Sequence, residues 1–227
     1  MQPFIAVLCN DGKVPKVADP SVRSALLDAA ARQIAHGGSN SLTLRRLVDE
    51  VGTSTMAVYT HFGGMQNLRQ EIRREGFRRL KAHLDAVEFS RDPLADLALL
   101  GWAYYDNALE NPHLYRVMFL DHHEPSDDVA GLDTFDQLVA AVSRCVAAGR
   151  FAPAEPFDLA VQLWTTVHGL VSLELSGLVA PDLAVEMLMT TWRSLFVGFG
   201  ADPRAVGRSL ARARREVPRT ARALGSG

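Results

Sequence analysis

The sequence predicts an all-α protein of about nine or ten helices, arranged as a three-helix head followed by a helical-bundle body. Three observations lead to this fold class. Apolar residues recur at helical spacing in one segment after another, Pro or Gly stands at the segment boundaries, and no run of alternating β-branched residues competes with a helical assignment. With 227 residues, 48% apolar and 22% charged, the chain can bury one large or two small cores.

The head is predicted over residues 20–64, as three short helices. Pro20 opens the first helix, and the Gly37-Gly38 pair ends it. The second helix has one apolar face, formed by Leu44, Leu47, Val48 and Val51. Gly52 can end this helix in the left-handed conformation, and Ser54 is placed to cap the third helix by accepting a backbone N–H.

The third helix has an apolar side and a polar, aromatic side. Val58 and Phe62 are spaced i, i+4 and are expected to point inward. The residues left on the outer surface or at the helix ends are Thr53, Thr55, Met56, Tyr59, Thr60 and His61. Two short helices joined by a tight turn, with a slim polar outer face, form the pattern of a helix-turn-helix that enters the major groove of DNA.

Charge is distributed unevenly along the chain. Residues 1–81 hold 12 Lys/Arg and 7 Asp/Glu, a net charge of +5, whereas residues 82–200 hold 5 and 17, a net charge of −12. Residues 201–227 return to +5 with 7 Arg and 2 acidic residues. A basic N-terminal part on an acidic body suits a protein that presents one end to a polyanion.

The segment GTSTMAVYTHFGGMQNL, residues 52–68, is the most specific part of a wider similarity over residues 22–68. This region resembles the N-terminal domain of the TetR family of bacterial transcriptional regulators. The resemblance implies that Tyr59 and His61 lie near the DNA backbone, and that Arg45 and Arg46 contact phosphates. The predicted DNA-binding set is completed by Thr53, Ser54, Thr55, Met56 and Thr60. Most members carry a lysine where this chain has Met65, so one ionic phosphate contact is expected to be missing.

The body is predicted over residues 65–200, beginning with a connector helix at 65–87. Arg69 and Arg73 on the connector are expected either to reach phosphates or to lie on its solvated face. Further helices are predicted at 92–110, 113–120, 127–148, 156–178 and 181–199. The last two are apolar almost all round, which predicts a homodimer through residues 156–199. The family resemblance implies the same arrangement, in which two heads read a palindromic site.

A ligand site is predicted inside the body. The stretch WTTVHGLVSLEL resembles a TetR subclass marked by Trp and then His-Gly, matched here by Trp164, His168 and Gly169. His168 is either a ligand contact or a hydrogen-bonded core histidine. The other predicted lining residues are Trp102, Tyr105, Asp106, Met118, Phe119 and Phe135. Such a lining favours a small apolar effector and requires no cofactor.

Several other classes of protein are disfavoured by the sequence. There is no GxSxG, metal-binding or phosphate-loop motif, so no catalytic or metal-ligating residue is assigned. The acidic loop Asp121–Glu124 is interpreted as solvated. The longest uncharged apolar run, residues 159–173, is too short to span a membrane, and the chain is expected to be cytoplasmic. Residues 1–19 are expected to be flexible, and the basic tail 201–227 to form a further helix or a disordered arm.

The leading interpretation is a DNA-binding transcriptional regulator. It is expected to act as a repressor that a small apolar effector releases from a palindromic operator. Two alternatives remain open at this point. One is a dimeric DNA-binding module without small-molecule control. The other is a small helical enzyme that uses His168 with Glu174.

Overall fold

The computed structural model describes residues 19–119 and 129–216, and all regular secondary structure in this part of the chain is helical. It contains ten α-helices and one 3-10 turn at Ser39–Ser41. The helices are α1 (Pro20–Gly37), α2 (Leu44–Val51), α3 (Thr55–Phe62), α4 (Met65–Asp85), α5 (Pro93–Glu110), α6 (Pro112–Phe119), α7 (Val129–Ala147), α8 (Pro156–Leu175), α9 (Pro181–Gly198) and α10 (Pro203–Glu216). The predicted all-α fold is confirmed. The predicted flexible residues 1–18 and the acidic loop 121–124 lie outside the described residues.

Helix ends follow the local signals in most places. Asp19 caps α1 by accepting from the backbone N–H of Ser21 at 2.9 Å, and Gly52 ends α2 with a left-handed φ of 70°. Ser54 does stand at the N-cap position of α3, but its side chain makes no capping hydrogen bond. Helix α8 ends before the predicted residue 178 because Gly177 has a φ of +77°, a conformation that does not continue an α-helix.

The head is formed by α1, α2, α3 and the first half of α4 around a single apolar core. The core contains Leu26, Leu27, Ala30, Leu47, Val58, Phe62, Leu68 and Ile72. Two residues of α6, Leu114 and Val117, are also buried in this core. Met65, at the position where a lysine was expected, packs against the same core. The head is therefore seated on the body through α6 as well as through the continuous helix α4.

The body is a bundle of α4, α5 and α7–α10, with α6 between the bundle and the head. Its core extends from Phe77, Leu80 and Leu84 of α4 to Val206 and Leu210 of α10. Helix α10 packs against α5 and α9, and the Ser209 hydroxyl donates to the Asp92 carboxylate at 2.8 Å. Of the two possibilities for the tail, residues 203–216 thus form a packed helix. The body core continues past the predicted boundary at residue 200.

Candidate DNA-binding surface and effector cavity

The predicted DNA-binding residues of α3 are on its outer side. Val58 and Phe62 are 0% and 6% exposed and hold the helix against the head core. On the opposite side, Met56 and Tyr59 are 68% and 54% exposed, and Thr55 is exposed at the first turn. The expected inward and outward sides of α3 are therefore present, with a protruding aromatic ring and a short polar side chain available for contact.

Three other predicted DNA-binding residues of this segment are either less exposed or already hydrogen-bonded within the chain. Thr60 is exposed, but its hydroxyl donates to the Met56 carbonyl oxygen at 2.9 Å. Thr53 and His61 are half-buried, and the His61 ring lies 6.0 Å from the Phe62 ring. Ser54 is exposed at the start of α3. The helix N-terminus and the Tyr59 side thus form the accessible part of the surface.

The two arginines predicted to contact phosphate lie in the first turn of α2. The Arg45 side chain is 93% exposed and only 4.0 Å from Asp49 across one helical turn. Arg46 is exposed and donates from Nη1 to the Ser41 carbonyl oxygen at 3.3 Å. Arg69, on the connector, donates to the Leu42 carbonyl oxygen at 3.4 Å. Arg45 and Arg46 are therefore cations on the head surface with only weak contacts within the chain.

The body contains a cavity of about 490 Å³ between α4, α5, α7, α8 and α9, with the end of α6 also in its wall. This volume lies in the range of small-molecule sites, which is roughly 300–1,000 Å³. Most of the lining is aliphatic or aromatic. The lining residues are Arg73, Phe77, Leu80, Leu84, Leu97, Leu100, Gly101, Tyr104, Phe119, Gly131, Leu132, Thr134, Phe135, Leu138, Phe157, Val161, Leu163, Trp164, Val167, Trp192 and Phe196.

Three of the eight predicted ligand-binding residues line this cavity, namely Phe119, Phe135 and Trp164. Their rings pack edge to face or at a tilt, with Trp164 6.1 Å from Phe135 and 6.4 Å from Phe119. Met118 is buried under α4, and Trp102 packs behind the wall with its ring 5.6 Å from that of Trp192. These five side chains therefore belong to one aromatic and apolar region.

Tyr105 and Asp106 lie elsewhere on α5 and do not line the cavity. The Tyr105 hydroxyl donates to the Glu174 carboxylate at 2.5 Å, and burial raises the pKa of both groups. Burial also raises the pKa of Asp106 to about 6, and the negative charge of Glu110 adds to the effect. The Asp106 carboxylate interacts with Glu110 and His83, and His83 in turn pairs with Glu110. These three side chains form a cluster of titratable groups near the C-terminal end of α5.

His168 is hydrogen-bonded within the chain. Its Nδ1 lies 2.7 Å from the Tyr115 hydroxyl oxygen and 3.0 Å from that of Tyr104. Burial lowers the His168 pKa, which favours a neutral ring, and raises the pKa of both tyrosines, which keeps their hydroxyls protonated. Because Tyr104 lines the cavity, His168 supports the wall from behind. His168 and Glu174, the pair of the enzyme alternative, thus bind separate tyrosines.

Sequence reasoning missed most of the α5 and α9 wall, including Leu97, Leu100, Gly101, Tyr104 and Trp192. It also missed Arg73, which was expected at a phosphate or on a solvated face and instead lines the cavity. Twelve of the 18 residues of α5 are buried, so helical periodicity alone does not indicate which side of the helix faces the cavity.

Two kinds of feature, a membrane-spanning helix and a metal-ligand cluster, are not found among the described residues. No helix among them is long and apolar enough to cross a membrane. In the same ranges, no three His, Cys, Asp or Glu side chains come together as a metal-ligand set would.

Comparison with known proteins gives two family matches. Residues 26–72 match a family described as bacterial regulatory proteins, tetR family, and residues 97–195 match one described as tetracyclin repressor-like, C-terminal domain. The first match covers the helix-turn-helix and the start of α4, and the second covers most of the cavity-bearing body. The finer resemblance to the subclass marked by Trp164, His168 and Gly169 stays a prediction.

Individual proteins agree with these family matches. The uncharacterized HTH-type transcriptional regulator YobS of Bacillus subtilis is 27% identical over 150 residues, which are 65% of this chain and 76% of that protein. The HTH-type transcriptional repressor AcnR of Corynebacterium diphtheriae is 28% identical over 163 residues, 68% of this chain and 82% of the repressor. Among solved structures, a protein of unknown function from Rhodococcus sp. RHA1 is 28% identical, with a TM-score of 0.68 over 82% of this chain and 99% of its own.

Proposed function

We propose that this chain, a member of the TetR family and a DNA-binding transcriptional regulator, is a homodimeric repressor released from a palindromic operator by a small, mainly apolar effector. The single observation that carries the proposal is the position of α6. Leu114 and Val117 of this helix are buried in the head core, and Phe119 at its end lines the body cavity. One short helix therefore contacts both the DNA-binding head and the effector cavity.

We propose that α3 enters the major groove and that α2 rests on the backbone. Thr55 and Met56 are at the exposed N-terminal turn of α3, where side chains of a recognition helix reach base edges. Tyr59, Arg45 and Arg46 are placed to bind phosphate oxygens, which position the head without selecting a sequence. The hydroxyl of Ser54, which makes no cap within the chain, is available for the same purpose.

The dimer is proposed through the outer sides of α8 and α9, within residues 156–199. Large apolar side chains are exposed there, including Leu173 at 43%, Leu178 at 77%, Leu183 at 49% and Met187 at 47%. Helices α8 and α9 pack against each other, so these exposed side chains lie on neighbouring elements of the chain. A two-fold pairing of this surface would bury it and place two heads for two half-sites of an operator.

Release is proposed to work by a shift between two arrangements of head and body. The effector is proposed to bind more tightly to the arrangement that cannot bind DNA than to the arrangement that can. The difference between these two binding free energies sets the largest possible loss of operator affinity. Movement of Phe119 would be passed to the head through α6. Arg116 donates to the Leu175 carbonyl oxygen at 2.9 Å, which anchors the same helix to the end of α8.

The test is a titration of the full chain against labelled DNA flanking its own gene, at several salt concentrations, with a shuffled fragment as control. We expect saturable binding to one inverted repeat that persists at physiological salt. Binding that is equal on the shuffled fragment and disappears uniformly with salt would contradict operator recognition. A regulator without small-molecule control would bind the operator and remain bound in every effector screen.

A further inference from the structure

A cluster of three polar side chains lies at the wall of the otherwise apolar cavity. Tyr104 lines the cavity, and Tyr115 and His168 lie next to it outside the lining. The His168 Nδ1 atom is 3.0 Å from the Tyr104 hydroxyl oxygen and 2.7 Å from the Tyr115 hydroxyl oxygen. The His168 ring also lies 5.1 Å from the ring of Trp164, another lining residue. Tyr104 therefore connects this cluster to the cavity.

Two hydroxyl groups of the cluster compete for one acceptor atom. An imidazole nitrogen without a hydrogen has one lone pair in the ring plane, so it accepts one strong hydrogen bond. If the His168 Nδ1 carries the hydrogen instead, it is a donor and accepts neither hydroxyl proton. In either tautomer, at most one of the two tyrosine protons can be bonded to this nitrogen. The shorter distance, 2.7 Å, belongs to Tyr115.

Tyr104 is the hydroxyl that is left with the poorer acceptor. The other acceptor described near it is the Tyr115 hydroxyl oxygen at 3.5 Å. Hydrogen bonds between hydroxyl oxygens are usually about 2.5–3.0 Å long, so this contact is weak. Tyr104 is 8% exposed, and burial raises its pKa, which keeps the donor proton in place. A buried donor without a good acceptor costs free energy, which an acceptor on a ligand would recover.

The rest of the described lining offers a ligand few acceptor atoms. The Thr134 hydroxyl already donates to the Gly131 carbonyl oxygen at 2.9 Å. The indole nitrogens of Trp164 and Trp192 are donors only, and most of the remaining lining is aliphatic or aromatic. A ligand that complements this wall is therefore apolar and carries an acceptor rather than a donor.

We propose that the effector is an apolar ketone, aldehyde or ester whose carbonyl oxygen accepts a hydrogen bond from the Tyr104 hydroxyl. This inference rests on the proposed function of the cavity as an effector site, and it narrows the effector from any small apolar molecule to one with a carbonyl acceptor. By taking the Tyr104 proton, the ligand leaves the His168 nitrogen to Tyr115, a residue of α6. Binding thus acts on the helix that contacts both the head and the cavity.

The test compares ketones with hydrocarbons of nearly the same shape, in which a methylene group replaces the carbonyl group. Isothermal titration calorimetry on the full chain would use acetophenone beside ethylbenzene, propiophenone beside propylbenzene, and 4-methylacetophenone beside 4-ethyltoluene. The variants are Tyr104→Phe and, as the matched control, Tyr105→Phe. Tyr105 is the next residue and loses the same hydroxyl, but it binds Glu174 and does not line the cavity.

The measured quantity is the ratio of ketone to hydrocarbon affinity in each protein. We expect Tyr104→Phe to lower this ratio about fivefold or more for at least one pair, as the loss of one hydrogen bond provides. Hydrocarbon affinity should stay within about twofold, because the apolar wall is unchanged. Tyr105→Phe should leave the ratio unaltered. Circular dichroism of both variants checks that they remain folded.

Three results would each overturn the proposal. The first is a ratio that does not change in Tyr104→Phe, and the second is an equal change in Tyr105→Phe. The third is the absence of binding by any ketone.

Operator binding measured on the same preparations separates this inference from the regulator function. If a hydrocarbon releases DNA as well as its ketone does, the effector site stands and the carbonyl assignment fails. If no pair binds while the operator is still bound specifically, the regulator stands and the ligand class is wrong. If specific operator binding is itself absent, the proposed function fails independently of the calorimetry.

Discussion

Two neighbouring arginines bind one buried carboxylate, and replacing each in turn tests how the head is fixed to the body. Glu75 of α4 is 3% exposed at its side chain. Arg78 donates to it at 2.6 and 2.8 Å, and Arg79 donates from Nε at 2.8 Å. Burial acts to raise the Glu75 pKa, but the hydrogen bonds from the two arginines outweigh it and the net shift is downward.

The two arginines differ in what else they hold. Arg79 is 22% exposed and also pairs with Asp28 of α1 at 2.9 Å and with the Asn111 side chain at 2.7 Å. It therefore joins the head, the connector and the α5–α6 junction. Arg78 is 68% exposed and makes its described contacts with Glu75 alone. Of these two arginines, only Arg79 contacts both a residue of the head, Asp28, and a residue next to the body helix α5, Asn111.

The expected loss of unfolding free energy depends on how buried each arginine is and on which partner Glu75 keeps after each substitution. Breaking a buried ion pair completely costs about 3–5 kcal/mol. Because Glu75 keeps Arg78 in the Arg79→Gln variant, we expect about half of that, roughly 2 kcal/mol, in the free energy of unfolding. Arg78→Gln removes an exposed cation and leaves Arg79 in place, so its cost should stay below about 1 kcal/mol.

The assay is urea unfolding followed by tryptophan fluorescence, at one fixed protein concentration because the apparent stability of the proposed dimer would depend on it. A Glu75 pKa that is lowered in the folded state contributes stability above its unfolded value and loses it as pH falls through the folded value. The difference between Arg79→Gln and the wild type should accordingly narrow below about pH 4. Equal losses for Arg78→Gln and Arg79→Gln would refute the assignment of Arg79 as the link between head and body.

Three further predictions concern DNA, the dimer and pH. Tyr59→Phe and Arg46→Ala should weaken binding to all DNA sequences by a similar factor, whereas Thr55→Ala should change sequence preference; competition gel shifts would show identical behaviour if the roles are misassigned. If the proposed dimer forms through α8 and α9, Met187→Glu should convert it to a monomer in light scattering, and an unchanged dimer mass would argue against this interface. Asp106→Asn should raise the free energy of unfolding by about 1 kcal/mol at pH 7.5, a value discounted for the partial exposure of Asp106. The reason is that the raised pKa of Asp106 favours its protonated form in the fold. This form stabilises the fold at low pH, and the stabilisation is lost as pH rises through about 6. The gain should vanish by pH 4, and a pH-independent gain would contradict it.

The head could be predicted from sequence because local signals agree there with tertiary packing. Gly52 ends α2 in the left-handed conformation that its type favours, and the spacing of Val58 and Phe62 gives the buried side of α3 directly. The missing Ser54 cap shows the limit of such reasoning. The N-cap position follows from sequence, but the hydrogen bond depends on a side-chain rotation that pattern does not determine.

The cavity was harder to predict because an apolar stripe has the same sequence pattern whether it packs against a neighbouring helix or lines a cavity. On α5, the pattern led to Trp102, Tyr105 and Asp106, whereas Gly101 and Tyr104 face the cavity. The two sets differ by about one residue, or 100° of rotation, on a helix that is buried almost all round. Arg73 was missed for the opposite reason, since a charged residue in an arginine-rich helix is ordinarily solvated.

In the proposed mechanism, the sharing of helices between the two cores determines how an effector in the cavity can act on the head. Helix α4 supplies Leu68 and Ile72 to the head core and Phe77 and Leu80 to the body core, so it cannot tilt without disturbing both. A close-packed core resists gradual deformation, which favours two discrete arrangements over a continuous one. Moving such an equilibrium from 1:99 to 99:1 requires an effector preference of about 5.5 kcal/mol. The contacts of Arg79, estimated above at roughly 2 kcal/mol, amount to less than half of this 5.5 kcal/mol. An effector that breaks them must therefore also change apolar packing. Phe119 lies where the cavity and α6 meet, so its side chain is placed to take part in that change.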